Sequence, residues 1–281
     1  MHAPLHSSLL RLLALTLIAV ALPPILASAQ DRTVTGATMF GLGGVRQQDT
    51  YLSPLNFKGK QFSFLRETMR MTHWANSNVS FQTLMHGEFS LAHNRPKTSE
   101  YWGAQLGYDL AWHRNWTPCK GLRLMAGGLV AAETGILYHT RNGNNPAQGR
   151  LHLQAALSVA ASYGLRIRKC PLTIRYQADL PVAGVMFSPQ FGQSYFEFSQ
   201  GNRDHNVCAT HPANAFSIRQ MCTIDIPVRR YALRIGYLSN LRQSRVNDIS
   251  IYNHSRSFLV GFVREFTILR SDWQRKATSK L

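Results

Sequence analysis

The sequence predicts an all-β protein, a single antiparallel transmembrane β-barrel of about ten strands, with twelve possible. Three observations point there. Long stretches alternate between apolar and polar residues; one alternating stretch carries tryptophan at both ends of its apolar face; and after an export-like leader no continuous apolar run approaches the length of a spanning helix.

The alternation is longest over 151–168. Leu151, Leu153, Ala155, Leu157, Val159, Ala161, Tyr163, Leu165 and Ile167 share one side, and His152, Gln154, Ser158, Ser162, Arg166 and Arg168 share the other. Successive strand side chains point to opposite faces, and this run far exceeds the usual five or six residues. Over 101–113 the pattern recurs, with Trp102, Ala104, Leu106, Tyr108, Leu110 and Trp112 on one face. Tryptophan at both ends suits the aromatic girdles at two membrane interfaces. A strand of a soluble sandwich also alternates, but rarely beyond about ten residues, so length favours the barrel.

Segments 79–91, 122–138, 172–180 and 231–241 alternate similarly, and Phe258, Val260, Phe262 and Phe266 mark a closing strand. Three poorer segments, 33–43, 61–72 and 217–226, bring the count to ten; twelve would follow if 193–199 found a partner. Short connections are expected near 73–77, 114–120, 168–171 and 226–229, and long ones at 44–60, 92–100, 139–150, 186–216 and 243–256. Short periplasmic turns and long extracellular loops are the barrel arrangement.

Residues 1–29 read as a cleaved signal peptide: Arg11, an apolar stretch Leu12–Leu22, Pro23-Pro24, and a small-x-small site at Ala27-Ser28-Ala29. The expected organisation is therefore signal 1–29, barrel 30–268 and a basic tail 269–281, exported to the outer membrane of a Gram-negative bacterium. Losing Arg11 lowers the net charge from +17 to +16. Such a balance calls for anionic partners, here outer-membrane lipid and lipopolysaccharide. No basic run or zinc spacing supports nucleic acid, and no cofactor or metal is expected. Export permits disulfides among Cys119, Cys170, Cys208 and Cys222. On this topology Cys208 and Cys222 share the outer side and are expected to pair; Cys119 and Cys170 lie at the periplasmic rim, paired or free.

The second half also carries Arg141-Asn142-Gly143-Asn144-Asn145-Pro146, Arg175-Tyr176-Gln177-Ala178-Asp179-Leu180-Pro181, Phe187-Ser188-Pro189-Gln190-Phe191-Gly192, Gly201-Asn202-Arg203-Asp204-His205-Asn206 and Tyr252-Asn253-His254-Ser255-Arg256. Over roughly 100–266 it resembles an uncharacterised family of Bacteroidales envelope proteins, domain-of-unknown-function family 3316. The resemblance implies a barrel-like envelope protein and brings no activity or functional residue.

Two constellations could carry chemistry. His254, with Ser255 or Ser257, could act as base and nucleophile of a membrane-embedded lipid hydrolase of the phospholipase or lipid A deacylase type. Adjacent strand residues diverge, however, which argues against the pair. Asp204-His205, with His211 nearby, could form a loop triad or metal site, but separated loop histidines are usually just solvated. The stronger lead is the polar face, where Arg123, Glu133, Arg166, Arg168, Arg175, Asp179, Arg230 and Arg234 should line the lumen. A barrel of about ten strands has little free interior, so the lining either fills it with salt bridges or leaves a narrow, porin-like, anion-favouring pore, since these arginines outnumber the carboxylates. The reading favours a non-enzymatic structural or surface-interaction barrel or a small pore over the hydrolase and over a soluble periplasmic β-protein. It also expects Ser158→Arg, on the lumen face, to be milder than Leu157→Arg on the lipid face.

Overall fold

The structure, a computed structural model, describes residues 32–268 apart from 144, 168–169, 202–203 and 229–230. The expected signal (1–29), the basic tail (269–281), Arg168 and Arg230 lie outside the described residues. The chain divides into a barrel unit, Thr33–Phe266, and a second unit, Met1–Arg32 with Thr267–Leu281.

In chain order the strands are β1 (Arg32–Asp49), β2 (Ser53–Met71), β3 (Val79–Asn94), β4 (Glu100–Cys119), β5 (Leu122–His139), β6 (Ala147–Ile167), β7 (Cys170–Phe187), β8 (Val207–Thr210), β9 (Ser217–Val228), β10 (Tyr231–Val246) and β11 (Ile249–Ile268). A short helix, α1 (Tyr195–Ser199), lies between β7 and β8. Ten strands form an antiparallel closed sheet: sequence neighbours pair, β7 pairs with β9, and β11 returns to β1. Closure leaves no unpaired strand edge, which any sheet exposed to lipid requires. β8 sits outside this count, pairing with the end of β7 over Gly184–Phe187. Residues 195–199, the expected extra strand, are helical instead. A capping box explains this, because the Ser194 hydroxyl accepts from Glu197 N while the Glu197 carboxylate accepts from Ser194 N.

The faces divide as the period of two requires. Leu42, Leu106, Leu157 and Phe258 project outward and are 71, 63, 56 and 73% exposed, whereas Met39, Leu65, Ser158 and Leu259 point inward and are buried. A continuous apolar belt on that scale is a membrane surface rather than a soluble one. Trp102 and Tyr138 border it toward the rim of the β3–β4 and β5–β6 turns, and Trp116, Tyr163 and Tyr231 toward the rim where β1 enters and β11 leaves. These are called the loop rim and the terminal rim below.

Two of the expected long loops are absent. Residues 44–60 continue β1 and β2 to a turn at 50–52, and residues 243–256 continue β10 and β11 to a turn at Asn247-Asp248. Both residues of that turn have positive φ, 53° and 59°, which a tight type I′ hairpin needs. The strands therefore run beyond the belt. At about 3.3 Å per residue and a tilt of about 40°, a 21-residue strand such as β6 rises about 50 Å, twice an apolar band of about 25 Å. Within the wall, Gly127 is obligatory: a Cβ there would stand 1.8 Å from the Trp112 carbonyl oxygen of the neighbouring strand. Register between β6 and β7 shifts at Ala155/Ala156. A bulge beside Pro181, which has no N–H to offer the ladder, accommodates the shift.

The cysteine expectation is corrected. All four cysteines are free thiols. Cys208 pairs in register with Met186, and Cys222 with Tyr176, ten residues lower on the same strand. That is about 30 Å along a strand, far beyond the roughly 7 Å a disulfide tolerates. Cys119 and Cys170 end β4 and begin β7, with β5 and β6 between them.

The expected mildness of Ser158→Arg is corrected as well, because Ser158 is fully buried among charged neighbours. The wall and the lumen floor make a better pair of tests. Leu157→Arg should cost about 2–4 kcal/mol and block assembly, while Ser162→Arg, facing the open cavity at the terminal rim, should leave the heat-modifiable mobility of the folded barrel intact on gels.

Candidate functional site

Inside the wall lies a charged lumen, built from the inward residues of nearly every strand. Toward the terminal rim, Glu67 on β2 accepts from Arg175 on β7 and, at 2.7 Å, from Arg234 on β10. Arg234 also grips Asp225 through two bonds of 2.6 and 2.7 Å. Gln82 Nε2 donates to Glu67 at 2.8 Å, and Gln177 Oε1 accepts from Arg175 at 2.7 Å. Higher up, Asp179 accepts from Ser158 Oγ at 2.5 Å and from Arg219 at 2.9 and 3.1 Å. Arg219 reaches across to Asp109 on β4, and His113 Nε2 lies 2.8 Å from Ser158 Oγ. Above that, Arg242 joins Glu88 at 3.1 Å to Glu133 at 3.3 Å, and Asp49 pairs with Arg150 at 3.0 Å.

Charge is thus closed off pair by pair. Leaving either partner of such a pair alone in a dry interior costs several kcal/mol. The sign of the lumen is corrected by the same census. Seven carboxylates (Asp49, Glu67, Glu88, Asp109, Glu133, Asp179, Asp225) meet five arginines (Arg150, Arg175, Arg219, Arg234, Arg242) in ion pairs among the described residues. The arginines do not outnumber the carboxylates, so the basis for an anion-favouring pore is gone.

Of the lumen residues expected from sequence, Glu133, Arg175, Asp179 and Arg234 are buried in this network. Arg123 faces inward at the terminal rim, where it lines a cavity of about 660 Å³ together with Asp225 and Glu265. Arg166 is exposed beyond the network. Sequence reasoning passed over Glu67, Arg219 and Asp225, and put Arg242 on the polar face without counting it among the lumen residues. Their signal was strand parity: each shares a face with a polar residue two positions away or falls in a segment whose alternation is weak.

Toward the loop rim the charged layer gives way to an aromatic cap. Phe57 stacks on Tyr101 with ring centroids 3.6 Å apart, and His139 meets both rings edge-on. Val45, Tyr51, Leu52, Ala92, Leu137 and Ile249 complete the cluster. The 188–216 loop closes over it. Tyr195 of α1 packs on Tyr51 and accepts from Gly149 N at 2.6 Å, and the Tyr51 hydroxyl donates to Gln193 O at 2.8 Å. Asn247 donates to Ser188 O and His205 O from the β10–β11 turn. Cavities of about 40, 20 and 10 Å³ lie among the charged layers, each with room for a few waters at most.

The hydrolytic constellation does not assemble. His254 lies on the outward face, where it is 3.5 Å from Ser239 Oγ and accepts from Arg256 Nε at 3.2 Å. Ser255 and Ser257 point inward and are buried, and Ser257 Oγ lies 3.1 Å from Ser63 Oγ. Asp204 Oδ1 and His205 Nδ1 lie 2.9 Å apart in the exposed loop, and no group of three metal-ligating side chains occurs among the described residues.

Comparison with known proteins adds the following. The family described as "Protein of unknown function (DUF3316)" matches residues 9–272. No curated protein matches the chain by sequence. Among solved structures it is similar to the outer membrane protease OmpT of Escherichia coli, with a TM-score of 0.49 at 10% identity over 85% of this chain and 99% of that one. The transport unit of the autotransporter AIDA-I from Escherichia coli gives 0.47 at 10% identity over 95 and 100%. The translocator domain of the autotransporter NalP from Neisseria meningitidis gives 0.38 at 11% over 92 and 97%.

Two outcomes are expected of this site. Glu67→Ala would strand Arg175 beside Arg234 and should cost about 3–5 kcal/mol in denaturant unfolding followed by intrinsic fluorescence, with Glu67→Gln intermediate. At the loop rim, burial first, and then Tyr195, Asp49 and Glu197, push the Tyr51 hydroxyl up to about 12 from its usual 10. Its contribution to the closed loop is complete below pH 10 and is lost as pH rises through about 12. Hydrogen exchange of 188–216 should therefore accelerate across pH 10–12 in the wild type, and Tyr51→Phe should remove that component.

Proposed function

The chain belongs to the family of proteins of unknown function 3316, and on that footing we propose that it is a non-enzymatic outer-membrane barrel, sealed to permeation, that serves the Gram-negative envelope as a structural and surface-interaction element. The observation that carries this reading is the lumen. Ion pairs cross it from β2 to β7 and β10, from β4 to β9, and from β3 and β5 to β10. The aromatic cap and the 188–216 loop lie above them. A conducting barrel needs a continuous wet path bordered by charges free to meet ions, and here the charges already hold one another.

The apolar belt supports residence in a bilayer, and the leader over 1–29 supports export as part of the same proposal. Orienting the loop rim outward follows the rule that longer loops face the exterior. A Bacteroidales host rests on the resemblance described above. The lipid hydrolase reading finds no support in the placement of His254, Ser255 and Ser257.

In planar bilayers the purified protein should show no discrete conductance steps. Arg219→Ala combined with Arg242→Ala, which removes three of the crossing ion pairs, should introduce them. Steady channels from the wild type with a reproducible unit conductance would overturn the sealed-barrel reading.

A further inference from the structure

With the ion-paired lumen carrying more acid than base, the basic excess of the described strands falls on the outer wall and the rims. One part of that wall concentrates it. Arg46 on β1 and Lys58 on β2 are direct cross-strand partners, and both face outward. Lys60 stands two residues below Lys58 on the same face, and Arg256 of β11 lies across the β1–β11 seam, its backbone against Gly43. Among the described residues none of the four enters an ion pair. Arg256 spends one N–H on His254, and the carboxylate of their row, Glu100, stands two strands away from Lys58 on β4. Like charges placed directly opposite on one face of a sheet destabilise it, so this arrangement calls for an anion from outside the chain.

A second observation says which kind. Immediately toward the belt from Lys60 the wall is grooved. Gly87 and Ala104 leave a depression of about 500 Å³ between the rings of Phe62, Phe64 and Phe89 and the side chains of Leu106 and Ile136. Register puts Lys60, Leu91, Trp102 and Tyr138 in one row, and Phe62, Phe89, Ala104 and Ile136 in the row two residues deeper. Trp and Tyr mark the bilayer interface. Lys60 is thus at headgroup level, Lys58 and Arg46 stand about 7 Å beyond it, and the groove opens into hydrocarbon below.

From this we propose that the β11–β1–β2 wall and the β2–β5 groove together form a binding site for a phosphorylated, multiply acylated glycolipid of the outer leaflet. The cations take its phosphates through charge-assisted hydrogen bonds, with the lysine stems lying along the apolar wall, and the groove takes an acyl chain. Because the cations span three strands and two rows, the site suits a headgroup with two phosphates better than one with a single phosphate. The inference rests on the barrel being membrane-embedded with its loop rim outward, as proposed above.

The test uses the full chain in neutral phosphatidylcholine nanodiscs, titrated with diphosphoryl lipid A, with the same lipid after enzymatic dephosphorylation, and with inorganic phosphate. Retained lipid is read by native mass spectrometry. Diphosphoryl lipid A should bind at least tenfold more tightly than its dephosphorylated form, and inorganic phosphate at equal concentration should not displace it. Lys58→Gln with Lys60→Gln, and separately Arg46→Gln, should abolish that preference. Ala104→Phe, which fills the groove without altering charge, should weaken binding of both lipids about threefold or more. Equal binding of the two lipids, displacement by inorganic phosphate, or unchanged binding in all the variants would overturn the site. Failure of the wild type to float with neutral phosphatidylcholine vesicles would instead overturn the membrane-embedded barrel on which the site rests.

Discussion

Glu67 holds two arginines from the far side of the barrel, and the rest of the interior is arranged around that kind of grip. Its partners Arg175 and Arg234 come from β7 and β10, strands more than 100 residues away in sequence. A carboxylate in a dry lumen is tolerable only when met by a cation in good geometry. The pairing therefore fixes which strands face each other as well as filling space. Arg219 between Asp109 and Asp179 and Arg242 between Glu88 and Glu133 repeat the arrangement at two further heights. Hydrogen-bonded ladders close the wall, but a ladder by itself does not forbid a slip of register. A slip of one residue would turn these charges into lipid and the leucines into the lumen.

The strands were legible in the sequence wherever the two faces meet different media. Over 101–113 and 151–168 hydrocarbon lies on one side and polar side chains on the other, and the period of two is plain. The three weak segments have a common cause. Met39 on β1, Leu65 on β2 and Met221 on β9 point inward into an apolar layer with Leu84, Leu238 and Leu259. There both faces are apolar and the contrast disappears. Glu67 went unnoticed as an anchor because it sits two residues from Leu65 on that same inward face.

The strand ends were hidden for the opposite reason. Beyond the belt the outward residues are Arg46, Lys58, Lys60 and Arg256, while the inward ones include Gln47, Gln61, Asn253 and Ser255. Polar on both sides, these stretches read as loops although the ladder continues through them. The lost cysteine pair has a different cause: 217–226 already read as a strand, but its register against β7 sets Cys222 beside Tyr176, well below the rim where Cys208 lies. Composition alone gave the basic balance but not its location, because location depends on which face each residue takes.

The fastening of the 188–216 loop bears on how the molecule is assembled. Two of its ties come from opposite ends of the chain, the Tyr51 hydroxyl from the first hairpin and the Asn247 side chain from the last. Those hairpins become neighbours only when β11 reaches β1. The mouth can therefore shut only after the cylinder has joined its own ends, and the ordered loop is a sign of completion. A protease acting on the surface would distinguish finished barrels from unfinished ones at this one segment.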